Sequence, residues 1–166
     1  QIQLVQDKAR QFEMFGKRFT SIVGGLSTAF EMQNDSQQLA STDTEKKLAQ
    51  TLKENPDLLA ITVAREGSEP LSLFRPGGLR RDELEKLASE IKLDAATNGV
   101  AVGTPRRVDN SNQFVMTFSR SSRSTNGDKI DLVAVASLQN ISHALVGTTK
   151  ANETELIRAG LPIVFV

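Results

Sequence analysis

The first thirty residues carry a seven-residue apolar repeat. Val5, Phe12, Phe19 and Leu26 recur at that interval, and Phe15, Ile22 and Ala29 follow the last three by three residues each. This 3-4-3-4 alternation is the stripe of one helical face. It predicts one long helix, about Ile2 to Met32, interrupted in one row by Lys8 and weakened locally by Gly16 and Gly24-Gly25. The stripe needs an apolar partner, and two are open to it. It packs on the rest of the chain, or part of it also meets a second copy. Val5, Phe12, Phe15, Phe19, Ile22 and Leu26 are therefore the candidates for a dimer or signalling surface.

A polar stretch, Gln33 to Ser41, follows. Thr42-Asp43-Thr44-Glu45 has capping-box spacing and predicts a short helix from there to about Glu54, ended by Asn55-Pro56-Asp57. The pattern then turns to strands. Leu58 to Arg65 is apolar on both faces, with Leu59, Ile61 and Val63 on one and Leu58, Ala60 and Ala64 on the other, as in a strand covered from both sides. After the turn Glu66-Gly67-Ser68, Pro70 to Arg75 reads as an edge strand. Leu79, Leu84, Leu87, Ala88, Ile91 and Ala95 trace a helix that stops at Asn98-Gly99. Three more strands are expected at Val100 to Val108, Gln113 to Ser121 and Lys129 to Leu138, then helices near Ile141 to Val146 and Asn152 to Ala159.

The order implies an α+β domain: a five-stranded antiparallel sheet with a long N-terminal helix and a helical crossover between its second and third strands. Residues 1–54 form the helical N-terminal part, 55–147 the sheet domain, and 148–166 a linker, a short helix and one strand. The run Leu161-Pro162-Ile163-Val164-Phe165-Val166 reads as a strand cut short. With a chain that opens at Gln1, it raises the expectation of a piece excised from a longer protein. The longest purely apolar run, Leu132 to Ala136, is far below the ~20 residues that span a bilayer.

Composition narrows the chemistry. Twenty Lys and Arg balance twenty Asp and Glu, which argues against nucleic acid or an acidic membrane surface as partner. The chain has no Cys, which removes thiolate, redox and zinc–thiolate sites together and fits any compartment, an oxidising one included. The single His143 has only the adjacent Ser142 as nearby nucleophile, which would not face it on a helix. Asp109-Asn110-Ser111-Asn112 lacks the Gly and terminal Glu of a calcium loop and reads as a turn. No catalytic residue, metal or cofactor is expected.

The passage from Asn55-Pro56-Asp57 through Leu58-Leu59-Ala60-Ile61-Thr62-Val63-Ala64-Arg65-Glu66-Gly67, behind a long helix, resembles the opening of a Cache domain, the PAS-like extracytoplasmic sensor of bacterial membrane receptors. Asp131-Leu132-Val133-Ala134-Val135-Ala136-Ser137-Leu138, a last strand running into a helix, resembles its close. The terminal Leu161 to Val166 run is similar to the first strand of a second such module. The resemblance implies a non-enzymatic ligand sensor outside the inner membrane, anchored by a segment upstream of Gln1. Its output domain would be a cyclase, a kinase or a chemotaxis module. The family's amino-acid-binding subgroup uses Tyr, Trp, Arg and Asp in a fixed pattern, and this sequence, with no Tyr or Trp, departs from it.

Arg65, Arg75 and Arg120 lie near strand ends, where guanidinium forks at one rim would suit a carboxylate or phosphate. Surface salt bridges with Glu66, Glu69, Asp128 or Asp131 are the plainer account of them. Phe114, Met116, Phe118 and Arg120 share one face of their strand, either a pocket wall with a polar end or core packing with a snorkelling arginine. Arg65, Phe74, Arg75, Phe118 and Arg120 are the candidate ligand contacts. The alternative reading is a dimerisation or protein-interaction domain with no small-molecule ligand.

Overall fold

A computed structural model describes residues 2–32, 37–91, 99–108, 113–125 and 127–139 of the chain. Helix α1, Ile2–Glu31, runs through Gly16 and Gly24-Gly25 without interruption. Its apolar stripe is spent on the sheet. Phe15, Phe19, Val23 and Phe30 are buried there, and Phe12, Ile22 and Leu26 pack against the same cluster.

Helix α2, Gln37–Glu54, starts five residues before the expected capping box, which therefore lies inside it. Serine and threonine compete for backbone bonds without having to end a helix. Thr51, in the same helix, returns its hydroxyl to the Lys47 carbonyl at 2.8 Å. Asn55 closes α2, its amide donating to the Thr51 carbonyl at 2.8 Å, and Pro56 prevents continuation.

Strands β1, Leu58–Arg65, and β2, Leu71–Phe74, form a hairpin through a turn in which Gly67 takes φ +82°. Helix α3, Arg81–Ser89, crosses over to the far side of the sheet. It stops short of the expected Ala95, and residues 92–98 lie outside the described residues. The strand expected from Val100 to Val108 is two fragments, β3, Ala101–Val102, and β4, Arg106–Arg107, both paired with β5. Gly103 and Pro105 separate them. Proline has no N–H for a ladder, while the Gly103 N–H still reaches the Thr117 carbonyl at 2.8 Å. Strands β5, Phe114–Arg123, and β6, Lys129–Ser137, complete an antiparallel sheet in the order β2-β1-β6-β5-β3, with β4 also on β5.

The expected α+β architecture and helical crossover are present, with the third expected strand divided into β3 and β4. One detail of β1 differs. A register shift between Leu58 and Ala60 turns Leu58 onto the face of Ile61 and Val63 and sends Leu59 to the other with Ala60. A bulge adds one residue and so inverts the alternation before it. Two apolar clusters result. The first lies between the sheet, α1 and α2, and includes Phe118, Leu132, Leu138 and Leu48. The second joins Leu59, Val115, Val133 and Val135 to Leu79, Leu84, Leu87 and Val108 on the α3 side. Among the described residues, no helix is long and apolar enough to cross a membrane. Asp109-Asn110-Ser111-Asn112, His143, the two later expected helices and the 148–166 segment lie outside the described residues.

Candidate functional site

The second cluster does not fill its side of the sheet. Beside it, between the sheet and α3, is an open cavity of about 650 Å³. Period-two alternation builds its floor. Thr62 and Ala64 point away from the core side chains Ile61 and Val63, Ser72 stands between Leu71 and Leu73, and Asp131 between Ile130 and Leu132. Helix α3 provides the facing wall with Arg81, Leu84, Glu85, Ala88 and Ser89, and Glu69 and Pro70 lie at the β1–β2 end.

The polar groups are partly pre-positioned. The Thr62 hydroxyl lies 2.8 Å from that of Ser72 and donates to the Leu71 carbonyl at 3.2 Å. Asp131 accepts a 2.6 Å bond from the buried Ser121 hydroxyl and has the Lys129 ammonium 3.8 Å away, with 27% of its side chain exposed. The Arg81 guanidinium stands 5.4 Å from the centroid of the Phe74 ring. Three carboxylates, of Glu69, Glu85 and Asp131, thus share a cavity with one guanidinium and several hydroxyls. Such a lining favours a small polar molecule bearing a positive group over an anion. Among the described residues, no group of three or more His, Cys, Asp or Glu could hold a metal ion.

The five candidate ligand contacts are not brought together. Phe118 is fully buried on the α1 side, 5.5 Å from the Phe19 ring and 6.4 Å from Phe15. Arg120 shares that face and pairs with Glu31 at the end of α1 at 3.5 Å. Arg65 is opposite Ile130 in register, on the same face. Arg75 lies at the other end of β1, where its guanidinium donates to the carbonyls of Leu52, Asn55 and Leu58. None of the five lines the cavity, and Phe74 comes nearest, its ring under the lining residue Arg81. Strand parity grouped Phe118 with Arg120 correctly, but parity cannot say which face the long helix covers. Thr62, Ser72, Asp131 and Arg81 were missed, although single polar residues at alternate positions of apolar strands marked the unfilled face. Of the helical stripe, Phe12, Phe15, Phe19, Ile22 and Leu26 all face the first cluster, and the side chain of Val5 lies outside the described residues.

No protein-family profile and no curated protein matches the sequence. Solved structures do share its fold. The sensory domain of the Campylobacter jejuni chemoreceptor Tlp3, with isoleucine bound, superposes with a TM-score of 0.66 at 14% identity over 90% of this chain and 62% of that one. The ligand-binding domain of the same receptor with L-valine gives 0.66 at 14%, over 90% and 63%. The ligand-binding domain of the Pseudomonas aeruginosa amino acid chemoreceptor PctC, in complex with GABA, gives 0.61 at 12%, over 88% and 63%. The chain thus has the fold of these sensory domains and spans a little over three-fifths of their length.

Proposed function

We propose that this chain is a non-enzymatic, extracytoplasmic ligand-sensing domain of a bacterial membrane receptor, and that its ligand binds between α3 and the sheet. The observation that carries this reading is the cavity of about 650 Å³ with Asp131 and the hydroxyls of Thr62 and Ser72 on its floor and Arg81 opposite. The fold likeness to receptor domains that bind isoleucine, L-valine and GABA supports it. The ligand class is a small molecule with an ammonium or similar cation, which Asp131 receives. Any carboxylate on it has Arg81 as counter-charge.

Signalling in this reading is differential binding. The ligand favours one arrangement of α3 and β2 over another, and it shifts the receptor only by its difference in affinity for the two. Helix α1 carries the difference to a membrane anchor preceding Gln1. A homodimer through α1 has to use residues outside the row buried on the sheet.

Thermal-shift and calorimetric titration against isoleucine, valine, GABA and simple diamines tests the proposal. At least one should stabilise the protein, and Asp131→Asn should weaken its binding by roughly tenfold or more. Binding that is indifferent to Asp131→Asn would place the ligand elsewhere, and no binding from the whole panel would remove the amine-sensing reading.

A further inference from the structure

We infer that Arg75 is the positioning residue that couples the α3-side cavity to α1. The inference rests on the sensory reading of that cavity. Arg75 directly follows β2, and its backbone N–H donates to the Leu59 carbonyl at 2.8 Å. Its side chain leaves the sheet. The guanidinium donates to the Leu58 carbonyl at 2.8 Å, the Asn55 carbonyl at 2.9 Å and the Leu52 carbonyl. Leu52 lies in the last turn of α2, where carbonyls lack helical partners and a cation is favoured. One side chain therefore ties the end of β2 to the end of α2 and the start of β1.

The tie continues to α1 through Asn55. The Asn55 side-chain oxygen accepts two bonds from the Arg18 guanidinium of α1, at 2.8 and 3.3 Å, while its amide donates to Thr51. Asn55 is buried, and Arg18 also lies 3.9 Å from Asp57. Arg18, Asn55 and Arg75 thus form a polar series from α1 to β2 along the outside of the sheet.

The other end of the series meets the cavity. Phe74, one residue before Arg75, lies under Arg81 of α3, and Ser72 is on the cavity floor. Strand β2 is a four-residue edge strand whose residues are all only half-buried, unlike β6, so it is the part of the floor that yields most easily. A molecule entering between α3 and the floor displaces β2 and Arg81. The Arg75 guanidinium then either carries that displacement to α2 and Asn55 or gives up its three bonds. The bonds leave from two nitrogens, Nε to Leu58 and Nη2 to Leu52 and Asn55, held apart by the planar guanidinium, and the single nitrogen of a lysine ammonium does not occupy both positions.

Hydrogen exchange on the intact chain, without ligand, tests the coupling. Arg81→Ala loosens the α3–β2 contact at the cavity. With Arg75 present, exchange should rise roughly fivefold both in the last turn of α2 and in α1 around Arg18. With Arg75→Lys in place, Arg81→Ala should still loosen β2 and α3 while α1 exchange changes by less than about twofold. A purely structural Arg75 would give the same increment in both backgrounds. An unmoved α1 with Arg75 intact, or equal responses in the two backgrounds, would overturn the inference. Should Arg75→Lys fail to fold, Arg18→Ala interrupts the same series at its more exposed end. Failure of the ligand panel would count against the sensory reading alone, because this experiment contains no ligand.

Discussion

The two faces of the sheet come from the same strands and differ in almost every physical respect. On the α1 side, Phe15, Phe19 and Phe118 meet ring to ring at 4.8–6.4 Å, and Leu58, Ile61 and Leu132 close the layer. On the α3 side, the apolar cluster stops partway along, and the floor beyond it is hydroxyl, methyl and carboxylate beside an open cavity. A filled aromatic face supplies stability and a fixed reference. The unfilled face leaves partly exposed polar groups open to another molecule. In the proposed reading, function lies on the side that gives up packing.

The largest effect that sharpens this contrast is a truncation on the aromatic side. Phe118→Ala removes a fully buried ring that stacks on Phe19 and should cost about 3–5 kcal/mol in urea unfolding. On the cavity side, Asp131→Asn keeps the acceptor for Ser121 and loses only a partly exposed contact with Lys129. It should move stability by less than about 1 kcal/mol while removing ligand binding. Similar losses from both substitutions would break the distinction between the faces.

Much of the scaffold was legible because it rests on period and punctuation. The stripe from Phe12 to Leu26 needs only its spacing to call a helix, and the bounds of β1 follow from Asn55-Pro56 before it and Gly67 after it. What local pattern could not carry was tertiary. The bulge beside Leu59 inverts two side chains without any Gly or Pro to announce it. Gly103 and Pro105 did announce the break between β3 and β4, but the turn residues flanking Val100 to Val108 read as the two ends of one strand. Arg75 looked like a ligand contact because an arginine at a strand end has no local partner. Its actual partners are backbone carbonyls 17 to 23 residues away, which no side-chain pattern encodes. The cavity was invisible for a related reason: it is defined by where α3 stops covering the sheet.

A middle-sized effect probes how tightly the broken edge presses on the cavity-side face. A Cβ at Gly103 would lie 2.2 Å from the Thr117 hydroxyl oxygen and 3.5 Å from the Thr117 carbonyl. Thr117 is buried on the same face of β5 as Val115 and Ser119, so its side chain has little freedom to turn away. Gly103→Ala should cost about 1–3 kcal/mol, and adding Thr117→Ala should recover most of it, a non-additivity read from urea unfolding of the parent, both single variants and the double variant. Additive losses would mean that the edge backbone, not this contact, sets the cost.

The smallest effect compares two neighbouring serines that alternation sends to opposite faces. Ser122 faces α1, where its hydroxyl lies 3.2 Å from that of Ser27, which is fully buried. Ser121 faces the other way and donates to the partly exposed Asp131 at 2.6 Å. Removing Ser122 leaves the Ser27 hydroxyl without that partner where water does not reach, so Ser122→Ala should cost about 1–2 kcal/mol. Water can take the place of Ser121 at the Asp131 carboxylate, and Ser121→Ala should cost about 1 kcal/mol or less. The order of the two losses, measured side by side by urea unfolding, reports which face is dry. Its reversal would mean that Asp131 is held as part of the fold, and that the cavity floor is not the solvated surface a ligand needs.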